Sequence, residues 1–234
     1  MLRPEAPALA LESTARPARP PGRMRPPAAL ALGFLVPFAL GAARPADEVR
    51  RSYAALERAL VARDAGAALG LVSEASIAEW ARLRQLALHG PVTEVAALAP
   101  GPRLAVLALR HQAPVWLLRD GPPRELAAQA VRAGLVDRRA ARQVELADVA
   151  VLDPARALGQ LYAAGLPSGF RAGFVREAGA WKLDLPVTLT GVGRVVSQVA
   201  RTTGASEDAV IVNLLAAATG EPVGGAVWRP LLAE

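Results

Sequence analysis

Apolar residues recur through the first part of the chain at helical spacing. Between Ala46 and Arg63, the side chains of Val49, Tyr53, Leu56 and Leu60 stand four, three and four residues apart, which is one face of an α-helix. Gly66 then separates this element from a short helical piece, Ala67 to Val72. Ser76 and Glu79 have the spacing of a capping box, in which hydroxyl and carboxylate satisfy free amides of a first helical turn. The helix they open carries Ile77, Trp80, Leu83 and Ala87 inward and stops at Gly90-Pro91. From Pro91 to Asp120 the pattern weakens. Leu104 to Leu109 is short and apolar enough for a strand or a buried helix and is read here as helix. Glu125 to Ala133 forms a better helix closed by Gly134, with Leu135-Val136-Asp137 leading out of it.

The period then changes from helical to alternating. Val144 to Val151 and Ala155 to Tyr162 read as two strands joined at Asp153-Pro154. Pro167-Ser168-Gly169 is the next turn signal, followed by a hairpin over Phe170 to Leu185. Phe170, Ala172 and Phe174 share one face of its first strand, and Trp181, Leu183 and Leu185 share one face of its return. Glu177-Ala178-Gly179-Ala180 is the loop, with Gly179 free to take a positive φ, and Pro186 stops further pairing. Gly191-Val192-Gly193 is read as a loop entering a helix. The third glycine of a dinucleotide fingerprint is absent and no βαβ unit surrounds it. A last helix starts at Ser206, carries Val210, Ile211, Leu214 and Leu215, and ends at Thr219-Gly220. The tail from Trp228 to Leu232 is apolar enough to dock back on the body.

Composition narrows the function classes. The chain has 234 residues, 53% of them hydrophobic, enough for one good core. The net charge of +6 suggests nucleic acid until its distribution is considered. Residues 1–43 hold five arginines and two glutamates, so the rest carries only about +3, without a basic run and with few aromatic platforms. Nucleic acid is therefore not an expected partner. Cysteine is absent, which excludes disulfides, thiolate nucleophiles and cysteine-ligated zinc. His89 and His111 lack a paired spacing, no Gly-x-Ser-x-Gly elbow occurs, and neither metal nor cofactor is expected.

Arg16, Arg19, Arg23 and Arg25 precede an uncharged stretch, residues 26–43, whose apolar heart is Ala28 to Leu40. Gly41-Ala42-Ala43 supplies small residues at its exit, so residues 1–43 read as a signal peptide, with Met24 as an alternative start. The alternative is an uncleaved anchor in the inner membrane, the only membrane contact expected. Either places the remainder outside the cytoplasm, periplasmic or extracellular.

Phe174, Glu177, Gly179, Trp181, Lys182 and Asp184, preceded by helices and the Ala65-Gly66-Ala67 turn, carry a family resemblance. The order of elements and this hairpin resemble the nuclear transport factor 2-like superfamily, the cone-shaped α+β fold shared with ketosteroid isomerase. The resemblance implies N-terminal helices packed on a curved antiparallel sheet over residues 44–185. A helical insert at 91–134 and a C-terminal helical extension at 186–234 depart from it. It further implies an apolar pocket inside the cone, bounded by Tyr53, Trp80, Tyr162, Phe174 and Trp181, and homodimerisation through the sheet. Isomerases of the superfamily use a buried carboxylate with hydroxyl groups, a role for which Asp184 and Tyr162 are the candidates here, Tyr53, the other phenol, being read as core. The expected function is an exported, non-catalytic binding protein that takes a small apolar ligand in the cone or a partner protein on the sheet face. The alternative is an isomerase- or hydrolase-like enzyme using the pocket. A cavity plugged by Trp116 or Trp228 would favour binding or assembly.

Overall fold

A computed structural model of the chain describes residues 44–118, 121–134, 144–163 and 165–232. The expected leader, residues 1–43, and the exit segment Leu135-Val136-Asp137 lie outside these. The described part is α+β. Seven helices come first: α1 Pro45–Ala62, α2 Ala65–Gly70, α3 Glu74–His89, α4 Val92–Ala96, α5 Pro100–Gln112, α6 Val115–Leu118 and α7 Pro123–Ala133. Strands β1 Val144–Asp153, β2 Arg156–Ala163, β3 Leu166–Glu177 and β4 Ala180–Asp184 form one antiparallel sheet in sequential order. Helices α8 Leu185–Thr203 and α9 Glu207–Thr219 and a 3-10 turn Gly225–Trp228 complete it. Among the described residues, no helix is long and apolar enough to cross a membrane.

The predicted face of α1 packs on the sheet. Val49 meets Ala157, Ala172, Phe174 and Trp181, all buried. Tyr53 meets Phe174 edge to face, their ring centroids 6.4 Å apart. Trp181 is tied to α1 at both ends: its Nε1 donates to Glu48 Oε2 at 3.2 Å and its carbonyl accepts from Ser52 Oγ. The opposite sheet face takes α8, and glycines let it approach. A Cβ on Gly173 would lie 2.5 Å from Val187 Cγ1, and one on Gly191 would lie 3.3 Å from the Arg171 carbonyl oxygen. Gly191 and Gly193 are therefore interior residues of α8, not a loop. Gly193 faces Gly101 in the first turn of α5, where neither helix has room for a side chain.

Three other boundaries differ from expectation for local reasons. Helix α3 begins at Glu74, and its cap stands three residues before Ser76. Ser73 is its cap, accepting from Ser76 N at 3.1 Å, while Glu79 instead pairs with Arg82 at 2.7 Å. Pro167-Ser168-Gly169 is an irregularity inside β3, where Gly169 has φ 79° and Ser168 Oγ donates to the Leu161 carbonyl. Leu185 is not a strand residue. It opens α8, whose cap is Asp184, accepting from Val187 N at 3.2 Å.

The largest core cluster lies among α3, α5, α8, α9 and the tail, with Leu83, Leu107, Val196, Ile211 and Val227 buried. Arg110 is buried with them. Its guanidinium donates to the carbonyls of Leu86, Ala87, Gly90 and Trp228. Leu231 N and Leu232 N bond the carbonyls of Ala87 and Leu88. Side chain and tail together reach three of the last four carbonyls of α3, those of Leu86, Ala87 and Leu88. Burial lowers the Arg110 pKa from its ordinary value, and the surrounding carbonyls keep the cation hydrogen-bonded.

Candidate ligand cavity

A cavity of about 340 Å³ opens among α1, α2, α3, α5 and α7 and reaches the end of β4. Leu56 and Leu60 of α1 and Ala127, Ala130 and Val131 of α7 line it. Leu69 of α2 and Ile77 and Trp80 of α3 close a second wall, and Leu109 and Gln112 of α5 a third. Leu183 and Leu185 form the floor. These positions follow from the helical periods: Leu56 and Leu60 are four residues apart, as are Ala127 and Val131. The size is at the small end of the roughly 300–1,000 Å³ that small-molecule sites occupy.

The chemistry of the lining is narrow. Among the described lining residues only Ser76, Trp80 and Gln112 carry a polar side-chain atom, and none is ionisable. Ser76 is committed to the fold. Its hydroxyl donates to the Leu183 carbonyl at 3.0 Å and accepts from Leu185 N at 2.7 Å, and Ser73 Oγ completes its shell at 2.8 Å. This knot fixes the start of α3 to the turn between β4 and α8. Segment 71–73 also pairs with β4, since Ser73 N donates to the Leu183 carbonyl and Leu183 N to the Leu71 carbonyl. The Trp80 indole nitrogen is buried without a partner among the described residues. With so little surface, it is an internal cost and not a contact for a ligand. Gln112, exposed at the end of α5, is the remaining polar residue of the lining.

The residues singled out from sequence are dispersed. Trp80 lines the cavity. Tyr53, Phe174 and Trp181 lie instead in the cluster between α1 and the sheet, where burial raises the Tyr53 phenol above its ordinary pKa, with Glu57 adding to it. Tyr162 donates to Asp148 Oδ2 at 3.0 Å on the exposed side of β2, and that hydrogen bond raises its pKa. Asp184 is the cap of α8, so Tyr162 and Asp184 do not meet as a catalytic pair. Neither tryptophan considered as a plug fills the cavity: Trp116 is 67% exposed, and Trp228 packs against the core of α3, α5, α8 and α9. Lys182 pairs with Glu177 at 3.2 Å across the hairpin, as its neighbours suggest. Arg176 turns to Glu48 at 3.4 Å and lies 5.9 Å from the Trp181 ring centroid.

Sequence reasoning missed Leu109, Gln112, Leu183 and Leu185 as cavity residues. The repeated spacing of Ala108, Leu109, Gln112 and Ala113 was the available signal, but it marks a face only once the helix is known to extend past Leu109. A second hollow of about 390 Å³ lies beside the α5–α8 crossing, with Arg194 and Arg201 on its rim. Among the described residues, no group of three or more His, Cys, Asp or Glu side chains is placed to hold a metal ion. Comparison with known proteins found no matching family model, no similar curated protein and no similar solved structure.

Proposed function

We propose that the chain is an exported, non-catalytic binding protein whose ligand is a small apolar molecule held in the helix-walled cavity. The observation that carries this reading is a ligand-sized cavity whose described lining holds no ionisable side chain. General acid–base or nucleophilic catalysis needs such a group within hydrogen-bond reach of the reacting atoms. The isomerase- or hydrolase-like alternative therefore finds no support at this site. A partner protein on the sheet finds less support than the cavity does. Of the large apolar side chains exposed on the sheet, Val151 and Leu152 are successive residues of β1, with side chains on opposite faces near one end of β2, and Leu166 stands near the other end, so they form no joint patch. Kinship with the nuclear transport factor 2-like superfamily is part of the same proposal. Helices leading into an antiparallel meander support it, and the helical wall of the cavity departs from the sheet-lined cone that the family implies.

Titration with the neutral dye Nile red tests the cavity. The expected result is a saturable, one-to-one rise in fluorescence that Ala130→Leu, at the cavity wall, weakens at least tenfold. A response that never saturates, or that ignores this substitution, refutes the reading. Export has its own test: the mature N-terminus in the exported fraction should lie near Arg44, and an intact Met1 or Met24 on a soluble cytoplasmic product would refute it.

A further inference from the structure

Resting on that reading, we propose that the cavity selects uncharged amphiphiles: an aliphatic body within the helical walls and one hydroxyl or carbonyl group hydrogen-bonded by the Gln112 carboxamide. Three observations lead there. The walls are apolar on every side, aliphatic apart from the Trp80 ring, so the body of the ligand gains by leaving water. Gln112 is the exposed polar residue of the lining, and a carboxamide offers both donors and an acceptor. It can therefore serve an alcohol, ketone, ester or amide without any change of charge.

The third observation is electrostatic. No lysine or arginine is among the described lining residues to accompany an anion, and no carboxylate to accompany a cation. Leu60 lies in the last turn of α1 and Leu109 and Gln112 in the last turn of α5, while Ser76 and Ile77 lie in the first turn of α3 and Leu185 opens α8, so helix ends of both signs border the cavity. Their opposed partial charges offset one another and supply no net field for an anion or a cation. An ion of either sign there loses hydration without gaining a counter-charge. A neutral hydrogen-bonding head avoids that cost. The second hollow differs in kind, because Arg194 and Arg201 stand at its rim and the first turn of α5 forms its wall.

The test is calorimetric titration of the full chain at pH 7 with octane, 1-octanol, octanoate and octylammonium, repeated with Gln112→Leu. The expected order places 1-octanol at least tenfold tighter than either ion. Octanoate should tighten as the pH falls through the ordinary carboxyl range and its charge is lost. Gln112→Leu should remove the advantage of 1-octanol over octane while octane itself binds as before, which separates loss of a hydrogen bond from loss of the fold. Octanoate binding as tightly as 1-octanol at pH 7, or a preference for 1-octanol that survives Gln112→Leu, overturns the selection and leaves the cavity reading standing. Failure of all four compounds to bind overturns both.

Discussion

The two faces of the sheet are closed by opposite means. Helix α1 meets its face through bulk: Trp181 and Phe174, each 3% exposed, fill the space beneath Val49 and Tyr53. Helix α8 meets the other face, and α5 beyond it, through the absence of bulk at Gly173, Gly191, Gly193 and Gly101. Large side chains close a gap by filling it; glycines close it by letting backbones touch. The cavity lies where neither device operates. Five helices meet around it, yet apart from Trp80 their facing residues are mostly medium-sized aliphatics and alanines, too small to fill the space and not arranged to bring the backbones together. A void of this kind forfeits dispersion contacts on its walls, so an apolar occupant stabilises the fold as it binds.

The contrast predicts that opposite changes of bulk, removal on one face and addition on the other, each destabilise the fold. Trp181→Ala removes the filling from the first face and should lower stability by about 3–5 kcal/mol, as large truncations in cores do. Urea unfolding monitored by circular dichroism measures it; an unchanged midpoint would show that bulk is not what holds α1. Gly101→Ala adds a single methyl group to the second device and should cost about 3 kcal/mol, at the upper end of overpacking, because the new Cβ would fall on the Leu189 carbonyl, a backbone group that cannot step aside. The same substitution at Gly70, where nothing lies within 4 Å of the added carbon, is the control and should be neutral or slightly stabilising. Equal effects at the two glycines would dissolve the distinction between a packing glycine and an ordinary one.

The same contrast explains what could be read in the sequence. Aromatic packing is visible in residue identity and period, so the α1 face, the strand pairs β1–β2 and β3–β4, and the buried Trp181 could all be anticipated. Glycine packing leaves no period. Gly191 and Gly193 look like punctuation until α5 is known to cross there, and the loop reading failed for that reason. The Ser76 cap is displaced by one turn because Ser73 and Ser76 stand three apart, and either can start a helix; the hydrogen bonds that Ser76 Oγ donates to the Leu183 carbonyl and accepts from Leu185 N decide between them, and these join residues more than a hundred positions apart. The cavity was expected in the wrong wall. Tyr53, Phe174 and Trp181 can line a pocket only if a gap separates the first helix from the sheet, and α1 packs directly on it. A cavity made from the edges of five helices is a property of their arrangement, which no local pattern encodes.

Between those extremes lies the open region itself. Ala130→Leu introduces three carbons into a space already bounded by protein, and at about 0.8 kcal/mol per buried methylene its upper bound is roughly 2 kcal/mol of added stability. Imperfect fit and lost rotamer freedom bring the expected gain nearer 1 kcal/mol. The gain should appear in the unliganded protein and shrink when Nile red is saturating, since only the unsubstituted chain then has the cavity filled by ligand. A loss of stability equal in both conditions would mean that the side chain meets a wall instead of a void.

The smallest effect belongs to the turn from which β4 returns. Glu177 pairs with Ala180, and the two residues between them, Ala178 and Gly179, have φ of 50° and 80°, the positive values that a two-residue type I′ hairpin loop requires. Glycine is suited to that geometry, whereas alanine carries a Cβ that crowds the following carbonyl, at a cost of roughly 1–2 kcal/mol. Ala178→Gly relieves this but also loosens the unfolded chain, which gives back about 0.4–1 kcal/mol. The net expectation is a gain of about 0.5–1 kcal/mol. Ala180→Gly makes the same chemical change two residues later, in a strand position with ordinary backbone angles, and should lose about 0.5–1 kcal/mol instead. Thermal unfolding of the two variants side by side reads the difference directly. Opposite shifts locate the strain at Ala178, and shifts of the same sign would remove it from the account of the hairpin.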